Sequence, residues 1–349
     1  MKTTKEMIGY LKENYGELEL SIIAKGISVK KKVEPKKKEI DFLKIATSII
    51  GKGNKIRPVI NGIYCKDNIS IATDLDNTLI VNKNIAGIDG VYLPEQIKNN
   101  ACSVSMDLED FPNINPLSEG IKVKINKEGI DKVIGFASKS DDNLSVKCVR
   151  IVAEKGEITY IATDTYRLTK KVYKYNGQDF AISIPLKCAE IISKYFNNEE
   201  IEVIIDGNKI MFIQGEIVLL SKLIELSYPN FKNMSFSFDR EVIVNTKELI
   251  SKLKEVAEIA KNDTEVKHKI KITSTKDKLV IKAISNTMKK EVELDCACNT
   301  NDILNINLNC QYFISCIDME QENSKILFGG RNSAVMIGES LQMPLAYSE

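Results

Sequence analysis

A segment that recurs three times constrains the fold more than any other feature of this chain. In each copy a short amphipathic helix is followed, about 30–40 residues on, by two strands with a small polar pair between them. The first copy is residues 39–51 (EIDFLKIATSIIG) with 69–81 (ISIATDLDNTLIV). The second is 125–138 (INKEGIDKVIGFAS) with 158–172 (ITYIATDTYRLTKKV). The third is 244–260 (VNTKELISKLKEVAEIA) with 279–294 (LVIKAISNTMKKEVEL). The polar pairs are Thr73-Asp74, Thr163-Asp164 and Ser285-Asn286. A period of roughly 100 residues is too long for a solenoid unit and fits three similar domains in series.

Bulk properties narrow the class. The 349 residues are 43% hydrophobic and 28% charged, as in an ordinary globular protein. No apolar run approaches the ~20 residues of a membrane helix, and the first residues lack a signal-peptide core. Together these place the chain in the cytoplasm, away from membranes. The eight cysteines form no CxxC pair, so they read as small buried apolar residues in a reducing compartment, with no metal. The net charge of +1 excludes a domain that grips nucleic acid by charge alone. The one histidine, His268, lies between lysines and reads as a solvated strand residue.

Period-2 alternation dominates, for example over 201–206, 209–214, 217–224, 269–273 and 325–328. The third-copy helix has one apolar face, formed by Leu249, Ile250, Leu253, Val256, Ala257 and Ala260. On another face Lys247, Lys254 and Lys261 fall in line, and the same spacing recurs as Lys132/Lys139 and Lys187/Lys194. Three such stripes suggest a shared basic surface. Pro/Asn clusters at 111–116 and 228–233 give domains at 38–117, 118–237 and 238–349. The first is short. Residues 93–100 run straight into a strand at 102–108, where the second domain has two extra strands. Residues 1–37 offer a helix at 4–15 and a hairpin, 18–24 with 27–33, that would complete the first domain; the alternative is a mobile basic arm.

The sharpest enzyme-like motif is Asp74-Leu75-Asp76-Asn77-Thr78. A DxDxT after an apolar strand resembles the first motif of haloacid-dehalogenase-type phosphatases, with Asp74 as nucleophile and Asp76 as acid and base. Such a site also needs a parallel sheet and further acidic residues for Mg²⁺. Here residues 78–81 continue as in a hairpin, and the second copy lacks the second Asp.

A different resemblance covers residues 39–346. Ala162-Thr163-Asp164-Thr165-Tyr166-Arg167-Leu168 is similar to the ATDGHRL signature of the bacterial DNA polymerase III β subunit, the sliding clamp. Residues 221–225 (SKLIE) with 228–231 (YPNF) look like its TSKLIEGRFPDY, and 342–345 (QMPL) like its closing VMPMRL. Residues 57–62 (RPVING), 72–75 (ATDL) and 111–113 (FPN) match its first-domain motifs and boundary. Five motifs in register are specific where each alone is weak.

The resemblance implies an α+β fold of three clamp domains, with antiparallel sheets outside and helices lining a ring closed by a head-to-tail homodimer. It implies a non-catalytic processivity factor without cofactor. Its partners would be double-stranded DNA, the replicative polymerase, the clamp loader and other clamp-binding proteins. A closed ring holds duplex by topology, so a mildly basic lining is enough. Lys52 and Lys55 after the first helix would join Lys132, Lys139, Lys187, Lys194, Lys247, Lys254 and Lys261 as DNA-facing residues. A client-peptide cleft between the second and third domains would use Thr163, Thr165, Tyr166, Arg167, Leu168, Pro229, Met234, Val335, Met343, Pro344 and Leu345. Thr165-Tyr166 replaces the family's Gly-His, and Ala346-Tyr347 its closing Arg-Leu. Those departures bear on which peptides bind. A divergent paralogue that binds partners without encircling DNA is the alternative within this class.

Overall fold

The computed structural model describes residues 18–23, 26–31, 41–104, 106–231, 236–263 and 266–345. The chain divides into two compact units, Met1–Ile40 and Asp41–Glu349. In the first, β1 (Leu18–Ile23) and β2 (Gly26–Lys31) pair antiparallel from Leu18↔Lys31 to Ile23↔Gly26. The helix expected at 4–15 lies outside the described residues.

The second unit opens with α1 (Phe42–Ile49), β3 (Ile63–Lys66), β4 (Ile69–Thr73), β5 (Asn77–Val81), β6 (Gly90–Tyr92) and α2 (Pro94–Lys98). The next block is β7 (Ile121–Asn126), α3 (Lys127–Val133), β8 (Cys148–Glu154), β9 (Glu157–Thr163), β10 (Arg167–Lys174), β11 (Phe180–Pro185), α4 (Leu186–Tyr195), β12 (Glu200–Asp206), β13 (Lys209–Gln214) and β14 (Ile217–Lys222). The last is β15 (Arg240–Asn245), α5 (Thr246–Ala260), β16 (Lys269–Ser274), β17 (Lys278–Ile284), β18 (Lys289–Asp295), β19 (Ala297–Cys298), β20 (Leu304–Asn309), α6 (Cys310–Cys316), β21 (Asn323–Phe328), β22 (Val335–Ile337) and β23 (Ser340–Gln342).

These strands make three antiparallel sheets, ordered β6-β3-β4-β5-β14-β13-β12-β7, β11-β8-β9-β10-β23-β22-β21-β15-β19 and β18-β17-β16-β20. The order exposes one rule used twice. The strand after the Thr-Asp turn (β5, then β10) pairs with the last strand of the following block (β14, then β23). The equivalent strand of the third block, β18, pairs only with β17 and has a free edge among the described residues. Among the described residues the first block supplies four strands to these sheets and shows no counterpart of β7, β12, β13 and β14. The strand expected at 102–108 does not form: Val104 makes one isolated bridge to Val91, and Asp107 turns the chain into a short 3-10 helix by accepting from Glu109 N.

Asparagines switch the chain from strand to helix. Asn126, Asn245 and Asn309 each end a strand, and each side chain accepts backbone N–H groups of the helix that follows, as Asp41 does for α1. A cap of this kind contributes about 1 kcal/mol. Helix α5 then buries Leu249, Ile250, Leu253, Val256, Ile259 and Ala260. Ile259 takes the place that the sequence assigned to Ala257.

In the second block the buried Tyr160 hydroxyl accepts Asn126 N at 2.8 Å, so its ring is fixed beneath α3. Gly129 lies against that ring: a Cβ there would fall 2.4 Å from its edge carbons. His268 is not in a strand. It sits in a left-handed turn at φ 65°, half-buried, with its N–H donating to Ala260 O and its carbonyl accepting Cys310 N. Cys65, Cys148, Cys188, Cys310 and Cys316 are buried, and burial pushes the Cys188 thiol up to about 12.

Candidate functional site

The two Thr-Asp turns are the same device. Thr73 Oγ1 donates to Asn77 O at 3.0 Å and accepts Leu75 N at 3.0 Å, while Asp74 Oδ1 accepts Asp76 N and Asn77 N at 3.0 and 2.6 Å. Thr163 Oγ1 donates to Arg167 O at 2.7 Å and accepts Thr165 N at 3.0 Å; Asp164 Oδ1 accepts Tyr166 N and Arg167 N at 3.1 and 3.0 Å. Leu75 and Thr165 both hold φ 78°. A short polar side chain that binds the backbone two and three residues on is what tight turns use. Ser285 keeps part of the pattern, bonding Met288 N and O.

This geometry removes the phosphatase reading. Asp74 caps a β4–β5 hairpin, and every ladder among the described residues is antiparallel, whereas that chemistry needs a strand end in a parallel sheet. Its carboxylate is further engaged by Lys187 Nζ at 2.6 Å, and Asp76 by Lys222 Nζ at 2.9 Å. Among the described residues no three His, Cys, Asp or Glu side chains gather as a metal site.

The second turn sits where two blocks meet. Arg167 Nε donates to Asp164 Oδ2 at 3.0 Å, its terminal nitrogens donate to Ser315 Oγ and to Gly135 O, and its guanidinium lies 4.8 and 4.6 Å from the Phe136 and Tyr312 ring centres. Tyr166 stacks on Tyr312 with centroids 6.3 Å apart. Burial first, then Asp164, raise the Tyr312 phenol above its ordinary pKa, so it stays a neutral donor. Met343 N donates to Tyr166 O at 2.8 Å, Arg167 pairs with Gln342 and Leu168 with Leu341. Leu345 N reaches Asn307 O at 2.9 Å.

The expected peptide residues therefore divide. Thr165, Tyr166, Arg167, Leu168 and Met343 come together, with Tyr166 and Met343 exposed at 61% and 40%, and Pro344 and Leu345 continue the segment half-buried. Thr163 and Val335 are buried at 1% and 0%: the Thr163 hydroxyl serves the turn, and Val335 is core in β22. Neither offers a peptide a surface. Pro229 is exposed in the connection after β14, and Met234 lies outside the described residues. The sequence reading missed Gly135, Phe136, Tyr312 and Ser315, which frame Arg167. The signal for the last two was the third block's second helix, whose start Asn309 marks.

The lysines divide as well. Lys247, Lys254 and Lys261 are exposed along α5 and its end, and Lys194 on α4 lies 5.0 Å over the Tyr195 ring. Lys52 and Lys55 are exposed in the loop after α1. Lys132 and Lys139 are not in line, because α3 ends at Val133. Lys132 is held by Glu320 at 3.1 Å and Lys187 by Asp74, so both serve contacts between blocks instead of a free basic face.

Comparison with known proteins points to one family. The model of the DNA polymerase III beta subunit central domain matches residues 120–230. The beta sliding clamp of Mycoplasma capricolum is 26% identical over 242 residues, 65% of this chain and 64% of that protein. The clamp of Lactococcus lactis is 29% identical over 134 residues, 36% of this chain and 35% of that protein. The chain is thus similar to the beta sliding clamps, and its residues 120–230 match the central domain of that family. The matched region spans less than two thirds of either relative's length. Solved structures of the DNA polymerase III beta subunits from Streptococcus pneumoniae and Thermotoga maritima share the fold. Their TM-scores are 0.77 and 0.75 at 17% and 19% identity, over 88% of this chain and 97% and 96% of theirs. No helix among the described residues is long and apolar enough to cross a membrane.

Proposed function

We propose that this clamp-family protein is a sliding clamp that encircles duplex DNA in the cytoplasm, without catalysis of its own, and tethers the replicative polymerase for processive synthesis. The observation that carries the reading is the joint used twice, β5 to β14 and β10 to β23, with β18 left as an open edge. A free β edge seeks a partner, and a head-to-tail second copy is the closed-symmetry solution. The exposed stripe Lys247, Lys254 and Lys261 suits a surface that slides on phosphates. Thr165, Tyr166, Met343, Pro344 and Leu345 form the client-peptide surface in this reading, positioned by Arg167, for polymerase, loader and other clamp-binding proteins.

A second reading is favoured by the four-strand first block: a clamp-fold protein that binds partners without closing a ring. Residues 1–37 discriminate, since their hairpin is the remaining source of strands for that block. Light scattering on the full chain should give twice 39.2 kDa, and a deletion of residues 1–37 should shift the equilibrium to monomer. A strict monomer at micromolar concentration would favour the second reading.

A further inference from the structure

The loop after α1 carries positive charge that nothing around it matches. No acidic residue occurs between Asp41 and Asp67. Lys44 pairs with Asp41 at 3.2 Å, whereas Lys52, Lys55 and Arg57 are exposed and in no ion pair among the described residues. The corresponding loops of the other two blocks are balanced. After α3, Asp141 and Asp142 follow Lys139, and Asp141 holds Lys147. After α5, Asp263 follows Lys261 and lies 3.8 Å from Lys269.

At the tip of this loop stands Ile56, between Lys55 and Arg57 and 92% exposed, more than any other large apolar side chain among the described residues. The loop holding it is tied down. Asn54 Oδ1 accepts Ile56 N at 3.0 Å and Arg57 N at 2.8 Å. Asn54 N donates to Asn61 Oδ1 at 2.9 Å, and Asn61 Nδ2 donates back to Asn54 O at 3.0 Å. Gly51 N donates to Ile60 O at 3.0 Å, and Val59 and Ile60 are buried with Ile71, Ile80 and Val91. The backbone thus fixes an aliphatic side chain in water with a cation on each side. Such a side chain gains free energy only when a partner covers it.

We propose that this loop recognises the junction between duplex and single-stranded DNA: Lys52, Lys55 and Arg57 meet the phosphates, and Ile56 covers the unstacked face of the terminal base pair. The ligand class rests on the clamp reading; the junction follows from the loop itself. Phosphate contacts orient a protein on DNA but do not select a site along it. The apolar tip does. Apolar side chains enter DNA as wedges at base steps, and within a duplex the bases must first be unstacked. At a junction the last pair is already open on one side, so the aliphatic contact forms there without that cost. An anionic membrane suits the loop less well, because stable attachment needs more apolar surface than one Ile offers.

The test uses the full chain and two fluorescent DNAs, a covalently closed dumbbell duplex and the same duplex opened to a recessed junction with a single-stranded overhang, titrated by anisotropy at low salt. The native protein should bind the junction about five-fold tighter than the dumbbell. Ile56→Ser should erase that preference and leave dumbbell affinity unchanged, while Ile88→Ser, at a side chain 73% exposed elsewhere in the first block, should retain it. Ile56→Val should keep a reduced preference, and so covers a serine variant that fails to fold. Lys55→Gln/Arg57→Gln should weaken both DNAs and flatten the salt dependence. A preference unchanged in Ile56→Ser, or absent from the native protein, would overturn the proposal. So would Ile56-dependent flotation on phosphatidylglycerol vesicles without Ile56-dependent DNA binding. Neither loader nor ring closure enters this measurement, so its failure differs from failure of the clamp reading, which shows as equal retention on circular and linear DNA.

Discussion

Replacing Arg167 by Ala should loosen the joint between the second and third blocks more than any other single truncation at this surface. The ion pair with Asp164 is shielded, with both side chains 13% exposed. Removing one partner of a shielded pair costs about 3–5 kcal/mol when the other charge is stranded. Asp164 is not fully stranded, because its Oδ1 keeps two backbone N–H donors, which argues for the low end. Contact of the guanidinium with two aromatic rings adds about 0.5–2 kcal/mol. Together these give a loss of about 3.5–5 kcal/mol, felt locally. Amide exchange is the assay: β23 and α6 should lose protection by that amount, while β12 and β13 keep theirs. Arg167→Lys keeps the charge but not the planar fork and should recover less than half. A loss under about 1 kcal/mol, or full recovery with Lys, would refute this view of the joint.

Gly129→Ala should destabilise the second block by about 1–3 kcal/mol in urea unfolding, although Ala is the better helix former, because its Cβ collides with the fixed Tyr160 ring; unchanged stability would mean that ring is free to move. Reversing Lys247, Lys254 and Lys261 to Glu should reduce retention on circular DNA without altering the melting temperature, whereas Lys187→Glu should lower the melting temperature by setting two carboxylates together at Asp74. Equal DNA retention in the triple variant would leave the α5 stripe as a solvated face. Met343→Ala should weaken polymerase-derived peptides by about 1–3 kcal/mol in calorimetry while the dimer persists, and unchanged affinity would place the client site elsewhere.

Much of the architecture was legible because periodicity and turn chemistry are local. The alternation over 201–206 and 209–214 became β12 and β13, and Thr163-Asp164 became a turn with a hydrogen-bond network that any reader of short polar pairs could draw. What stayed hidden was long-range. Lys187 looked like a member of a stripe because helical spacing says nothing about an Asp 113 residues away. Val335 looked like a pocket residue from the family motif, yet its place in β22 between β21 and β23 buries it. Tyr312 carried no motif at all, and only the fold brings it over Arg167. The strand expected at 102–108 failed because a run of suitable residues forms a strand only where a neighbour offers a ladder, and among the described residues beyond Val104 none does.

The central claim is topological, so the most direct measurement is topological too. The protein is placed on a nicked circular plasmid by its loader, freed of unbound chains by gel filtration, and the DNA is then cut once with a restriction enzyme. A sliding clamp predicts that the protein elutes with the circle, survives moderate salt, and leaves within minutes of linearisation by running off the ends. Equal retention on circle and linear DNA, or no retention on either, would contradict the account.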